Sequence, residues 1–295
     1  MICVSFHSYK GGSCRTSTAM NIIPFLVKKL DASSDKPVLF IDSDIDSAGL
    51  TYFLNEEKNF EGAFDSKKLL GEILPGRNIE PDEKPLKEHP FFSKCNSVGD
   101  KFGVEKEAVL FLGVDVTSNM DTDKKIGVVD SYTRSFRQLC ENYGIKAVIF
   151  DTASGEQFSA QVTTRLSNVI VCCLRPTIQH RKGTFRYLDK SRSQITGPDG
   201  KQTKRVVILP TAVPLSVSEI TRKKKERALK LIAEDAKLAD TNIDETFISD
   251  LNCFGIPEVE RFKWDEDILY RASVSELSSD EKEALSQYEL LAENI

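Results

Sequence analysis

Histidine and tryptophan are scarce in this chain: His7, His89, His180 and the single Trp264 are all it has in 295 residues. The three histidines share no spacing that suits a metal centre or a nucleophile–base pair, so zinc chemistry and triad hydrolysis find no support. Long apolar runs are missing too. None approaches the roughly 20 residues of a membrane-spanning helix, and Met1 leads directly into an apolar run with no charged leader, so no secretory signal is expected. The seven cysteines lack metal-ligand spacing and sit mostly in apolar runs, as at Cys3, Cys172 and Cys173. The adjacent Cys172 and Cys173 should face opposite sides of a strand, an arrangement that suits a reducing, cytoplasmic setting. Excess positive charge is absent as well. A net charge of -5 gives no whole-protein field that would draw nucleic acid.

What is present is ordinary for a globular chain, with 40% hydrophobic and 29% charged residues, enough for one large α/β domain or two small ones. The informative stretch comes first. Ile2 to Phe6 is an apolar, β-branched run that reads as a buried strand. Ser8-Tyr9-Lys10-Gly11-Gly12-Ser13-Cys14-Arg15-Thr16-Ser17 follows, and then Ala19, Ile22, Ile23 and Leu26 at helical spacing, with the helix ending near Leu30. Strand, glycine-containing loop and helix start form the context in which backbone N–H groups and a helix dipole cradle phosphate. Gly11 and Gly12 are expected to take positive φ and let the backbone approach. A plain Gly-Gly turn between strand and helix is the blander reading.

Further along, Pro37 to Ile41 reads as a second strand running into Asp42-Ser43-Asp44, and Lys146 to Phe150 as a strand ending in Asp151-Thr152. Carboxylates at the C-terminal ends of parallel strands point into the crevice where such sheets bind ligands. Other strands are expected at Val109–Val116, Asn168–Leu174 and Arg205–Pro210, with helices at about 131–143, 157–165 and 216–240. The alternation predicts a doubly wound, mainly parallel sheet flanked by helices, in one domain over 1–295. Residues 55–108 are charged and proline-broken and read as a surface excursion, with one short helix near Leu69–Leu74. Residues from about 256 to 295 read as a mostly helical tail.

The usual phosphate-loop pattern G-x-x-x-x-G-K-[ST] is not met: aligned on Thr16, its glycines fall on Tyr9 and Cys14 and its lysine on Arg15. The loop instead resembles xKGGxGK[ST]T, the deviant Walker A loop of the ParA/MinD class of P-loop NTPases. More closely it resembles the KGGVGR-motif variant of that class, with SYKGGVGRT as its pattern; Cys14 departs from it. Asp42 to Leu50 resembles the class's D-x-D-x-E-A-P-G-L, with Asp46 for the glutamate, and Val148 to Gly155 resembles its VLIDSRTG, with Ala153 in place of the arginine.

The resemblance implies ATP held by Lys10, Gly11, Gly12, Ser13, Cys14, Arg15, Thr16 and Ser17. It implies Mg2+ held by Thr16, Asp42 and Asp151, with Asp42 acting through water. Asp44 would orient or activate the attacking water, and Lys10 would touch phosphate in its own site or reach the nucleotide of a second subunit. Arg15 would replace the loop lysine as a planar, forked cation. From this come two readings: a slow Mg2+-dependent ATPase that dimerises with ATP and signals to a protein partner, or a hydrolysis-impaired nucleotide-binding module that stabilises an assembly.

Two other signals are weighed against blander ones. The run Thr221-Arg222-Lys223-Lys224-Lys225-Glu226-Arg227 could contact a DNA backbone, but a solvated helix face fits the acidic chain better. Membrane docking by a C-terminal helix would need basic residues, whereas 278–295 is acidic.

Overall fold

Six of the expected strands form, and they line up in one sheet. The computed structural model describes residues 1–44, 47–54, 86, 91–92, 95–114, 129–195, 203–215, 218–238, 255–263, 267–273 and 275–295, with backbone alone at 129–135, 158 and 237–238. In chain order, β1 (Ile2–Ser8) runs into α1 (Arg15–Lys29) and β2 (Val38–Ser43) into α2 (Gly49–Leu54). A two-residue β3 (Asn96–Ser97) precedes β4 (Val109–Leu112) and α3 (Val129–Asn142). Then come β5 (Ala147–Ser154), α4 (Phe158–Leu166), β6 (Val169–Leu174), α5 (Ile178–Lys190) and the single turn α6 (Arg192–Ile195). The last elements are β7 (Arg205–Pro210), α7 (Glu219–Leu238) and α8 (Ser279–Asn294).

The strand order is β3-β4-β2-β5-β1-β6-β7. Every pairing is parallel except that of β3 with β4. Parallel strands covered on both faces need continuous apolar runs, and the VIVCCL of β6 is buried at every position. Alternation then sorts its side chains. Val171 and Cys173 join Phe6, Leu209, Ile22, Leu26, Tyr288 and Leu291 on the face covered by α1 and α8. Cys172 and Leu174 join Phe185, Leu188, Leu229 and Ile232 on the face covered by α5 and α7. The two thiols therefore face opposite ways, as their adjacency predicts. Beside them α3 and α4 cover β2 and β5 through Phe136, Leu139, Val162 and Leu166. With ~1.5–3 kcal/mol for each fully buried Leu, Ile or Phe, a one-residue slip of a strand would forfeit contacts on both faces at once.

One expectation needs correction. The end of the 55–108 segment is not a surface excursion: Phe91, Phe92, Val98 and Phe102 are buried, and Asn96–Ser97 pairs with β4. Phe102 lies against Phe40 at 6.2 Å between ring centroids. Charges and prolines around these aromatics hide their periodicity. In the C-terminal region the helical elements among the described residues are α8 and two short 3-10 turns, Arg261–Lys263 and Leu269–Arg271. The short helix expected near Leu69–Leu74, together with Asp46 and Trp264, lies outside the described residues.

Because the main strands run parallel, their C-terminal ends share one edge. Ser8, Ser43, Ser154, Leu174 and Pro210 end there, with β1 between β5 and β6.

Candidate functional site

The loop after β1 turns on two residues with positive φ: Gly12 at 77° and Cys14 at 54°. Gly11 is not among them, contrary to the expectation for both glycines. Cys14, a residue with a Cβ, takes the left-handed conformation instead, which costs ~1–2 kcal/mol relative to glycine. It is the N-cap of α1 and makes no side-chain capping bond, and the first turn of the helix carries no acidic residue. The amides at that helix start are therefore left for an anion rather than consumed by a cap. Burial pushes the Cys14 thiol above its usual range despite the nearby Arg175.

The charged residues converge behind the loop. Arg15, 9% exposed, donates from Nε to Asp151 Oδ1 and from Nη2 to Asp44 Oδ2, both at 2.7 Å. Thr16 donates from Oγ1 to the other Asp151 oxygen at 2.8 Å. Burial works against the charge of Arg15, yet Asp151 and Asp44 outweigh it and raise its pKa. Burial also raises Asp151, although Arg15 and Thr16 oppose this.

Asp42 faces elsewhere. Its Oδ1 accepts from the Asp44 N–H at 3.0 Å. Its Oδ2 accepts from Thr51 N at 2.9 Å and Thr51 Oγ1 at 2.7 Å. Thr51 Oγ1 in turn accepts from Val114 N at 2.9 Å, so Asp42 braces α2 and the end of β4. Burial, followed by the charge of Asp151, pushes Asp42 up to about 7, outweighing its hydrogen bonds.

Two buried carboxylates, Asp44 and Asp151, thus hold one buried guanidinium, and a third, Asp42, is buried behind them. Among the described residues no group of three or more His, Cys, Asp or Glu side chains is arranged to hold a metal ion, but the Asp151 carboxylate with the Thr16 hydroxyl beside it offers hard-oxygen donors of the kind that suit a small divalent cation such as Mg2+. Thr16 and Asp151 are the best placed of the expected ligands. Asp42, with three protein donors already on it, lies one step behind them.

The remaining residues lie along and beneath the loop. Lys10 is exposed and donates to Gln179 Oε1 at 2.6 Å. Ser13 is buried and its Oγ has no hydrogen-bond partner. Ser17 is half-buried, and its carbonyl accepts from Asn21 Nδ2 at 2.9 Å. His7, stacked on Tyr187 at 3.9 Å, has neither ring nitrogen partnered. Burial, with the Arg15 charge added, lowers it to about 3.

Sequence reading missed four residues here. Gly183 sits within α5 where a Cβ would come 1.9 Å from the Tyr9 ring, and a glycine inside a helical pattern is its signal. Thr51 holds Asp42. Arg175 Nε donates to the Gly12 carbonyl at 2.6 Å and Thr211 Oγ1 to the Ser13 carbonyl at 2.8 Å. Each of the last two directly follows a strand, β6 or β7, and that position is their only signal.

No protein-family model matches this chain, and no curated protein does. Solved structures do. Apo McdA from Cyanothece is 17% identical, with a TM-score of 0.62 and 98% of each chain covered. Cobyrinic acid a,c-diamide synthase from Mycobacterium smegmatis, bound to an ATP analogue and magnesium, is 15% identical with a TM-score of 0.58, covering 99% of this chain and 93% of its own. MinD in the MinC:MinD cell division complex of Aquifex aeolicus is 14% identical with a TM-score of 0.57, covering 99% and 95%. At these identities the likeness is one of fold: this chain has the α/β fold of ParA/MinD-like P-loop ATPases. Among the described residues, no helix is long and apolar enough to cross a membrane.

Proposed function

We propose that this protein is a nucleotide-dependent switch of the KGGVGR-motif kind, a slow Mg2+-dependent ATPase that dimerises with ATP and signals to a protein partner. One observation carries the reading. Arg15 and Thr16, the last distinctive residues of the loop, both bond to Asp151 at the end of the neighbouring strand. Separate segments thereby build one site at the edge where a parallel sheet binds ligands.

In this reading residues Lys10 to Ser17 hold the phosphates, and Thr16, Asp42 and Asp151 hold Mg2+, with Asp42 acting through water. The ion supplies charge neutralisation at the phosphates. Asp44 orients the attacking water once Arg15 turns from it towards phosphate. Lys10, exposed and held by one hydrogen bond, is free to reach a second subunit's nucleotide. The surroundings are cytoplasmic, and neither DNA nor membrane is a favoured partner.

A second reading, binding without efficient hydrolysis, draws on Cys14 in a strained conformation and on Arg15 held by two carboxylates. Turnover of ATP and of GTP with Mg2+, followed by light scattering with ATP and with ADP, separates the two. Turnover with a dimer that opens in ADP supports the switch. In Lys10→Ala, nucleotide binding should persist and the ATP-dependent dimer should vanish. A mass indifferent to nucleotide in both proteins would move the assignment to the static module.

A further inference from the structure

Three consecutive carbonyls of the loop are each taken by a side-chain donor from a different place in the chain. Gly12 O accepts from Arg175 Nε at 2.6 Å, Ser13 O from Thr211 Oγ1 at 2.8 Å, and Cys14 O from Thr18 Oγ1 at 2.6 Å. In a planar trans peptide the C=O and the following N–H point in opposite directions. Fixing those carbonyls therefore turns the N–H groups of Ser13, Cys14 and Arg15 away from the three donors. The left-handed backbone at Gly12 and Cys14, alternating with the residues between and after them, is the kind of arrangement that gathers successive amides into an anion-binding nest.

The Thr18 bond lies within the first turn of α1 and belongs to helix capping. The other two come from outside. Arg175 follows β6 directly, and the next residue is Pro176, which restricts Arg175 to extended backbone. Thr211 follows β7, and its N–H donates to Leu174 O at 2.9 Å, so the two supporting segments are tied to each other.

We propose that Arg175 and Thr211 are positioning residues of the nucleotide site, holding the Gly12 and Ser13 carbonyls back so that the loop amides are aimed at phosphate before nucleotide arrives. This rests on the reading of the loop as a nucleotide site. Pre-organisation matters because an unheld peptide could present its carbonyl to the phosphates, and turning it would draw on binding energy. Arg175 is suited to the role because its planar guanidinium presents a rigidly oriented Nε–H to the Gly12 carbonyl, whereas a lysine in its place would hold charge but not direction.

The test is titration of fluorescent ADP with Mg2+, with thermal unfolding measured in parallel, on the wild type and on Arg175→Met, Arg175→Lys, Thr211→Val and Thr211→Ser. A charge-assisted hydrogen bond lost from the loop should raise the Kd about 10-fold or more in Arg175→Met. Arg175 is only half-buried, so its unfolding temperature should hardly change. Arg175→Lys should recover part of the affinity. Thr211→Val should weaken binding about 5- to 10-fold, and Thr211→Ser, which keeps the hydroxyl, should stay within about 2-fold of wild type. If the wild type binds and both Arg175→Met and Thr211→Val bind equally well, the proposal is overturned. It is also overturned if Thr211→Ser loses as much affinity as Thr211→Val, because then shape and not the donor matters. A wild type that binds no nucleotide would instead remove the reading beneath it.

Discussion

Arg15 and Asp151, separated by 136 positions in the chain, are joined at 2.7 Å in the interior of the protein. The loop cation is therefore already neutralised by the acids that a metal ion would use. On the proposed reading, nucleotide and Mg2+ would bind as a coupled pair: the ion would be held by Asp151, and the guanidinium so released would serve the phosphates, since a buried charge left alone is costly.

Asp44 holds the other end of the same guanidinium. Asp44→Ala removes one of two partners and leaves Asp151 in place. Nucleotide affinity should stay within about 3-fold, while turnover should fall by ~100-fold or more, the usual contribution of a positioned proton acceptor. Single-turnover kinetics at saturating nucleotide measures this. Loss of binding with undiminished chemistry per occupied site would show that the role is wrong.

Cys14→Gly should stabilise the protein. Relief of the left-handed backbone at φ 54° is worth ~1 kcal/mol, offset by some of the added freedom of the unfolded chain. Urea unfolding should show a higher midpoint with an unchanged slope, and nucleotide affinity should hold or rise. Marked loss of affinity would mean that the thiol itself makes a contact.

What could be read in advance was local: a strand, a loop and a helix start carry their own periodicity and glycine signals, and the six core strands were placed from such runs. The carboxylates at strand ends were equally plain. Which of them meets Arg15 was not, because that depends on β1 lying beside β5, with Phe6 opposite Asp151. Cys14 rather than Gly11 bearing the positive φ was unreadable for a similar reason, since the loop's path is set by Arg175 and Thr211 from outside it. Phe91 and Phe92 were hidden by charged and proline-rich neighbours, and only their burial under α3 gives them a pattern.

Asp42 at about 7 and His7 at about 3 pull stability in opposite directions. Between about pH 4 and 7 the folded state keeps a proton on Asp42 that the unfolded chain has released, so this contribution is lost as pH rises. Between about pH 3 and 6.5 the unfolded chain holds a proton that buried His7 refuses, so stability is lost as pH falls. Each slope is at most ~1.4 kcal/mol per pH unit, and Asp151, also raised, adds to the side of Asp42. Without Mg2+, the Asp42 and His7 slopes should largely cancel and leave the wild-type urea midpoints with only a small fall between about pH 4.5 and 6, from Asp151. Asp42→Asn should tilt the profile upward with pH, and His7→Phe should tilt it downward. Parallel profiles in all three proteins would rule out these two groups as the source.

Gly183→Ala places a methyl group where the Tyr9 ring lies. Overpacking of this kind costs ~1–3 kcal/mol, and Tyr9 immediately precedes Lys10, so the start of the loop should shift as well. Tyr9→Ala combined with Gly183→Ala should recover much of the loss relative to the sum of the single changes, measured as a double-mutant cycle by urea unfolding. Simple additivity would mean that the ring moves aside freely.

The place of β1 in the sheet has a consequence for the making of the protein. β1 is synthesised well before the two strands that flank it, β5 and β6, with Ala147 and Val169 among its partners. At ~5–20 residues per second, the apolar segment ICVSFHS waits on the order of 10 s before a neighbouring strand exists. β2 is better served, because β4 emerges earlier and can pair with it first. The loop after β1 therefore meets its outside supports, Arg175 and Thr211, only after β6 and β7 have been made. Its finished shape depends on strands that lie more than 150 residues further along the chain.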